Sequence, residues 1–233
     1  MDIADSPIDD AAGSTRDDAA GSARDDSVDV VRRRPRRSES AASPGELTDR
    51  TRRRPDVTTV DVIGGPEAIT VPLREADPAW PERYREHEAR IRGVLPEPRV
   101  GVEHIGSTAV PGLAAKPIID VLVTVDDVTA EEEYLDQLLA AGYGLRVREP
   151  GHRLVRTPER DVHVHVYEHD APAVDAYRVL RDHLRTDEDD RVLYEETKRA
   201  LLAQQWDDMN DYADAKTEVI TAILARARAA QDR

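Results

Sequence analysis

Residues 101–125 read GVEHIGSTAVPGLAAKPIIDVLVTV: two apolar runs joined by a turn, with Gly106-Ser107 at the break and a lone carboxylate, Asp120, inside the second run. VGVEHIG predicts a strand that Gly106 interrupts, and STAVPGLAA a loop or short helix broken at Pro111-Gly112. KPIIDVLVTV is apolar at successive positions, the pattern of a strand covered on both faces at the centre of a sheet. Asp is among the residues least often buried alone, so a carboxylate in such a run needs a cation, a hydrogen-bond donor or a ligand beside it. A Gly-Ser corner at a strand end leaves backbone N–H groups and a hydroxyl to hold phosphate oxygens. An aspartate on the adjoining strand can hold a divalent cation. The same aspartate could instead be satisfied by backbone donors or an arginine.

Upstream, an alternating ITVPL begins near Ile69, and DPAWPERYREHEARIRGVL follows. There Trp80, Tyr84, His87, Ile91 and Val94 or Leu95 recur at helical spacing, with Pro81 suited to a first turn. Downstream, residues 129–142 open with the capping pattern Thr129-x-x-Glu132 and stop at Gly142, which predicts a helix. LRVRE, HRLVRT and DVHVHVYE predict strands, the last two a hairpin, and three helices close the chain at about 172–185, 188–205 and 208–230. The expected fold is α+β: a mixed sheet over about 69–168, flanked by helices, then a helical part.

The first 65 residues read differently. DDAAGSTR at 9–16 repeats as DDAAGSAR at 17–24, and arginine clusters stand at 32–37 and 50–54. Such a segment offers too little apolar surface to offset the entropy of ordering, so 1–65 is expected to be a disordered charged tail before a domain at 66–233. The net charge of −15 opposes non-specific binding to nucleic acid or anionic membrane, so a polyanionic ligand must enter through a local basic site. With no cysteine there is neither a thiolate metal site nor a thiol nucleophile. No apolar run approaches the ~20 residues of a bilayer span and no leader opens the chain, so a cytoplasmic protein is expected. Only Lys116, Lys198 and Lys216 of the 33 basic residues are lysines, and phenylalanine is absent; this composition resembles that of proteins from salt-adapted microorganisms.

The passage HIGSTAVPGLAAKPIIDVLV resembles the HIGST…PGLxxKPxID signature of the GrpB family, whose members are assigned to the nucleotidyltransferase fold. The resemblance extends to Trp80, to VHVHV at 162–166, to LRDHLR at 180–185, and to Tyr194-x-x-x-Lys198 and Tyr212-x-x-x-Lys216. It covers about residues 69–229. It implies a nucleotidyltransferase-like mixed sheet with a C-terminal helical subdomain. Some relatives are fused behind a dephospho-CoA kinase domain, which implies a nucleotide or CoA-type ligand. The spacing of twelve residues between Ser107 and Asp120 is similar to that of the superfamily's Gly-Ser and acidic-strand signature. Active members of that superfamily carry a second acid two positions after the first, and here that position is Leu122. Asp161, His163 and His165 alternate on another strand and are expected to share a face, so a mixed Asp/His cluster would replace the usual carboxylates if that face turns toward Asp120, although Asp161, near the hairpin turn, reads as a turn residue rather than a ligand. Imidazole shifts the expected divalent metal from Mg²⁺ or Mn²⁺ toward a transition metal.

The resulting assignment makes Asp120 the catalytic residue and, with His163 and His165, a metal ligand. Gly106, Ser107, Thr108, Arg181, Arg185, Lys198 and Lys216 are the phosphate- or nucleotide-binding candidates, and His104, Lys116 and Tyr212 further ones. Ser107 could equally cap the following turn, Arg181 and Arg185 could form ion pairs with neighbouring acids, and the histidines could stand on a solvated face. The expected function is a nucleotidyltransferase-like protein binding a nucleoside triphosphate and metal. The alternatives are a nucleotide- or CoA-binding module without catalysis, and a structural partner domain worked by the charged tail.

Overall fold

A computed structural model describes residues 54–65, 72–95, 100–203 and 209–231. Six strands form one sheet: β1 (Asp61–Val62), β2 (Gly101–Ile105), β3 (Ile119–Val125), β4 (Gly144–Glu149), β5 (His152–Arg156) and β6 (Val162–Glu168). The helices are α1 (Trp80–Val94), α2 (Leu135–Ala140), α3 (Pro172–Thr186), α4 (Glu188–Leu202) and α5 (Met209–Gln231). The strand order is β1-β4-β5-β6-β3-β2, with β3 and β6 parallel and the other pairs antiparallel. This is the expected α+β architecture: a mixed sheet flanked by helices, followed by a helical C-terminal part.

β3 lies between β2 and β6, and each of its faces enters a different core. Val121, Val123 and Val125 pack with Val162, Val164 and Val166 under α1 and α2, against Trp80, Ile91, Leu135 and Leu138. On the other face Leu122 joins Ile105, Tyr167, Tyr177, Leu180, Leu184, Ile220 and Ile223 beneath α3, α4 and α5. Two apolar faces, each roofed by helices, explain why IIDVLVTV reads as a continuous apolar run.

Two expectations need correcting. Composition assigned residues up to 65 to a disordered tail, but Asp61–Val62 adds edge strand β1 to β4, and Asp56 reaches the sheet. The Arg153 guanidinium, 2% exposed, donates to Asp56 at 2.7 Å and to Glu131 at 2.7 Å. A guanidinium on a buried strand needs carboxylates from elsewhere in the chain, and no local pattern marks Asp56 as one of them. The repeats, the 32–37 arginine cluster and the ITVPL segment through residue 71 lie outside the described residues.

The second correction concerns the helix predicted from Thr129. Its hydroxyl donates to Asp127 at 2.6 Å instead of capping a helix, Glu131–Glu133 forms one 3₁₀ turn, and α2 spans only Leu135–Ala140. Asp127 competes for the would-be cap, while Arg148 and Arg153 draw Glu131 toward the sheet. The stop at Gly142 is as expected, with φ +95° and the Tyr143 N–H closing onto the Leu138 carbonyl.

Asp56→Ala leaves Arg153 with one carboxylate fewer in a buried setting. A loss of about 3 kcal/mol in unfolding free energy is expected by urea denaturation, whereas the exposed Arg54–Glu132 pair, removed by Arg54→Ala, changes it by less than about 0.5 kcal/mol.

Candidate functional site

Register and turn geometry bring the candidates together. β2 ends at Ile105, opposite Asp120 in β3, and Asp120 stands opposite His163 in β6. Asp120 and His163 therefore share the face roofed by α3, α4 and α5. Gly106 then turns the chain across the strand end with φ +71° and ψ −174°, a conformation open almost only to glycine. A Cβ there would lie 2.4 Å from the Asp120 Oδ2. Glycine is thus required twice, for the turn and for the carboxylate packed beneath it. Ser107–Ala109 follows as a single 3₁₀ turn.

Around this corner is a cavity between the sheet and the C-terminal helices. It is lined by Gly106, Ser107, Thr108, Lys116, Asp120, His163, Arg181, Lys198 and Lys216, with Leu73, Tyr177, Leu180, Leu184, Tyr194 and Ile220 forming apolar walls. Among the described residues Asp120 is the one carboxylate in that lining, and it is partly open, its side chain 27% exposed. Its Oδ1 lies 3.8 Å from His163 Nδ1 and 3.5 Å from His165 Nε2. One ligand atom from each of the three lies within 4.8 Å of the others. Ligands of a single tetrahedral ion at ~2.1 Å stand roughly 3.4 Å apart, so this donor set fits one divalent cation. His165 is buried, which removes the alternative of a solvated strand face.

Lys198, Arg181 and Arg185 are each tied to the scaffold. Lys198, buried on α4, donates to the Ala114 carbonyl at 2.7 Å and to Ser107 Oγ at 3.1 Å, with its ammonium 4.6 Å from the Tyr194 ring centre. One turn earlier, Glu195 accepts from the Ala114 N–H at 2.9 Å, so α4 grips both polar groups of that peptide region and fixes the 107–114 segment. Arg181 donates to Glu103 at 2.9 Å, to the His104 carbonyl at 3.2 Å and to Asp182 at 2.8 Å. Burial works to raise the Glu103 carboxyl, but hydrogen bonds from Arg178 and Arg181 hold it below its usual range. Arg185 stands outside the cavity lining and donates twice to the Ala109 carbonyl, bracing the turn from α3. Lys116 and Lys216 line the cavity, while the side chain of Tyr212 lies outside the described residues.

His104 belongs to the opposite face of β2, stacked on Tyr84 with ring centres 4.6 Å apart. The Thr108 hydroxyl donates to the Ile118 carbonyl at 3.1 Å, so His104 Nε2, 3.1 Å away, must donate to that hydroxyl. Burial pushes the His104 pKa down to about 4 against the pull of Asp120, leaving a neutral ring that supports the turn from behind. Asp161 is drawn to Arg83 on α1 at 2.7 Å and accepts from Thr157, so it leaves the face of His163 and His165. It lies before the first residue of β6, where strand alternation no longer applies.

The sequence alone did not single out Glu103, His152 or Glu149. Glu103 sits opposite Leu122 and holds Arg181. His152, paired with Tyr167, shares the face of His165, and its Nδ1 contacts Glu149. The alternation of β2 and the register of the β5–β6 hairpin were the available signals. A second cluster, His183–Asp187–Asp190, is a helix junction: Arg226 and His183 both donate to Asp190, and Asp187 caps α4.

Fold and cavity together define an α+β protein with a polar cavity between a mixed sheet and its C-terminal helices. The family model described as GrpB protein matches residues 70–226. The chain is 66% identical over 180 residues to a UPF0157 protein of Streptomyces coelicolor, covering 77% of this chain and 96% of that one. It is 31% identical to the crystal structure of the conserved protein GrpB from Enterococcus faecalis, with a TM-score of 0.57 over 66% of this chain and 98% of that one. A dephospho-CoA kinase of Mycolicibacterium paratuberculosis is 31% identical over 117 residues, 45% of this chain and 28% of that protein. The chain belongs to the GrpB family. Among the described residues no helix is long and apolar enough to cross a membrane.

Two outcomes follow from the geometry. Gly106→Ala forces both the backbone and the Asp120 carboxylate to move, at a cost of about 3 kcal/mol in chemical denaturation. Because His104 titrates lower in the folded chain than in the unfolded one, its contribution is fully present above about pH 6.5 and is lost as pH falls toward about 4. Stability curves of the wild type and His104→Gln should accordingly converge by about 3 kcal/mol across that interval.

Proposed function

We propose that the protein binds the phosphate end of a nucleoside triphosphate, together with one divalent cation, in this cavity, as a nucleotidyltransferase-like protein. One observation carries the reading: the chain has only three lysines among 33 basic residues, and all three, Lys116, Lys198 and Lys216, line the cavity that contains Asp120. In a chain of net charge −15 an anionic ligand needs a local concentration of positive charge. Lysine supplies it as a compact point charge suited to phosphate, whereas Arg181, the guanidinium in the same lining, is already paired with Glu103 and Asp182.

In this reading Ser107 and the N–H groups at 106–108 receive phosphate oxygens, that of Ala109 being held by the Gly106 carbonyl, and Asp120, His163 and His165 hold the cation. A bound divalent ion would neutralise phosphate charge beside the turn. Leu73, Leu180 and Ile220 wall the cavity and favour a ligand with an apolar or aromatic part beyond its phosphates. The dephospho-CoA kinase relative supports a nucleotide or CoA-type ligand.

A second reading, binding without group transfer, is favoured by Leu122. Where a two-metal site would place its second acid, Leu122 is fully buried in the apolar cluster under the C-terminal helices. Glu103, the carboxylate opposite it, is committed to Arg178 and Arg181. One carboxylate with two imidazoles holds one ion, not the pair that an in-line displacement between two metals uses.

Calorimetric titration of the full chain with ATP, GTP and CoA, each with Mg²⁺, Mn²⁺ or Zn²⁺, tests both readings. Cation-dependent binding is expected, weakened at least about tenfold by Asp120→Asn and by Lys198→Met, with Arg199→Met on the exposed side of α4 as the neutral control. Pyrophosphate release that Asp120→Asn abolishes selects transfer, and binding without release selects the module. If none of the three ligands binds under any cation, the proposal fails.

A further inference from the structure

Behind His165 runs a line of polar groups, His152 and Glu149, that the nucleotide reading does not use. His165 Nδ1 lies 3.2 Å from His152 Nε2, the two rings are within 9° of parallel, and their centres are 5.3 Å apart. Those values describe imidazoles set edge to edge, nitrogen to nitrogen, as in an N–H···N hydrogen bond. His152 Nδ1 in turn contacts Glu149 Oε1. Both rings are almost fully buried, and Tyr167 stacks on His152 at 4.3 Å, so neither ring is free to turn.

With Glu149 ionised, although burial pushes its carboxyl up, and with a single proton on the buried His152 ring, donor and acceptor accounting along the line has one consistent solution. A carboxylate only accepts, so His152 carries its proton on Nδ1 and offers a lone pair at Nε2. That lone pair accepts from His165 Nδ1–H. The remaining nitrogen, His165 Nε2, then holds a lone pair and faces the Asp120 carboxylate oxygen across 3.5 Å, longer than an ordinary N–H···O bond. Two electron-pair donors set against each other in a half-enclosed site call for a cation between them. An imidazole so oriented is a ligand suited to zinc and its first-row neighbours, while magnesium prefers an all-oxygen shell.

We propose that Glu149 and His152 are positioning residues that lock His165 with its proton on Nδ1, so that the cavity selects a transition-metal ion over Mg²⁺. This rests on the cation site of the preceding section and adds its metal class and the device that sets it. Partners of this kind, one step removed from the metal, fix ring orientation and raise ligand basicity.

The test has two arms on the full chain. In the metal-free wild type at pH 7.5, long-range ¹⁵N–¹H correlation spectra should show His165 and His152 protonated at Nδ1. A proton on His165 Nε2 overturns the proposal, whatever the protein binds. In the second arm, Zn²⁺ and Co²⁺ affinities are measured by chelator competition and by the visible absorption of Co²⁺, and Mg²⁺ affinity by calorimetry. Zn²⁺ should bind at least about 100-fold more tightly than Mg²⁺. His152→Phe and Glu149→Leu should weaken Zn²⁺ about 10- to 100-fold with little change for Mg²⁺, and Glu149→Gln, which keeps an acceptor oxygen, should recover part of the loss. If Asp120→Ala abolishes metal binding while the Glu149 and His152 variants bind as the wild type does, the positioning role fails and the cation site stands. If Asp120→Ala binds Zn²⁺ unchanged, the cation site fails and the positioning proposal with it.

Discussion

The parallel pairing of β3 with β6 is the constraint from which the rest of the molecule follows. It sets Asp120 opposite His163 and Leu122 opposite His165, and it aligns Val121 and Val123 with Val164 and Val166 on the other face. Because side chains alternate strictly, a slip of one residue would send the carboxylate into the apolar cluster under α1 and bring valines to the cavity. The two cores guard against that slip, since each contributes a row of fully buried aliphatic side chains. Parallel strands need a connection of some length, and here it comprises α2 and the β4–β5 hairpin, which also carries His152 and Glu149 to the back of His165.

Around that frame the polar groups are arranged to hold a turn in place. Glycine at 106 admits the carboxylate beneath it, Arg185 holds the Ala109 carbonyl, Lys198 holds Ser107 and Ala114, and Thr108 with His104 anchors the turn to the strand behind. A backbone braced from two helices and a strand is held in one conformation, which is what the proposed phosphate site requires of it. Of the cations that brace it, Lys198 also lines the cavity, where Lys116, Arg181 and Lys216 add to the local positive charge.

On β2 an ionised carboxylate and a neutral imidazole stand side by side, and the balance of burial against neighbouring charge decides each. Glu103 stays charged because two guanidinium groups outweigh its desolvation, and His104 stays neutral because desolvation outweighs the nearby Asp120. The same competition, with opposite winners in adjacent residues, separates the charged cavity side of β2 from its apolar reverse.

The sequence by itself determined the strand, turn and strand around Gly106, the long helices, the hairpin ending at VHVHV, and a carboxylate that had to face something other than core. Those features are written in local patterns: period-two or continuous apolar runs, helical spacing, and glycine where a turn is needed. It could not reveal that Asp56 returns to pair with Arg153, that Asp127 takes the hydroxyl expected to cap a helix, or that Asp161 turns to Arg83 while His165 turns to His152. Nor could it decide between Arg181 and Arg185 as cavity residues, since both lie on one helix face and only one reaches the opening. These pairings join groups far apart in the chain or compete with equally good local partners. Only the packing of helices onto the two faces of the sheet decides which partner each polar group meets, because burial makes the wrong choice costly and the right one sufficient.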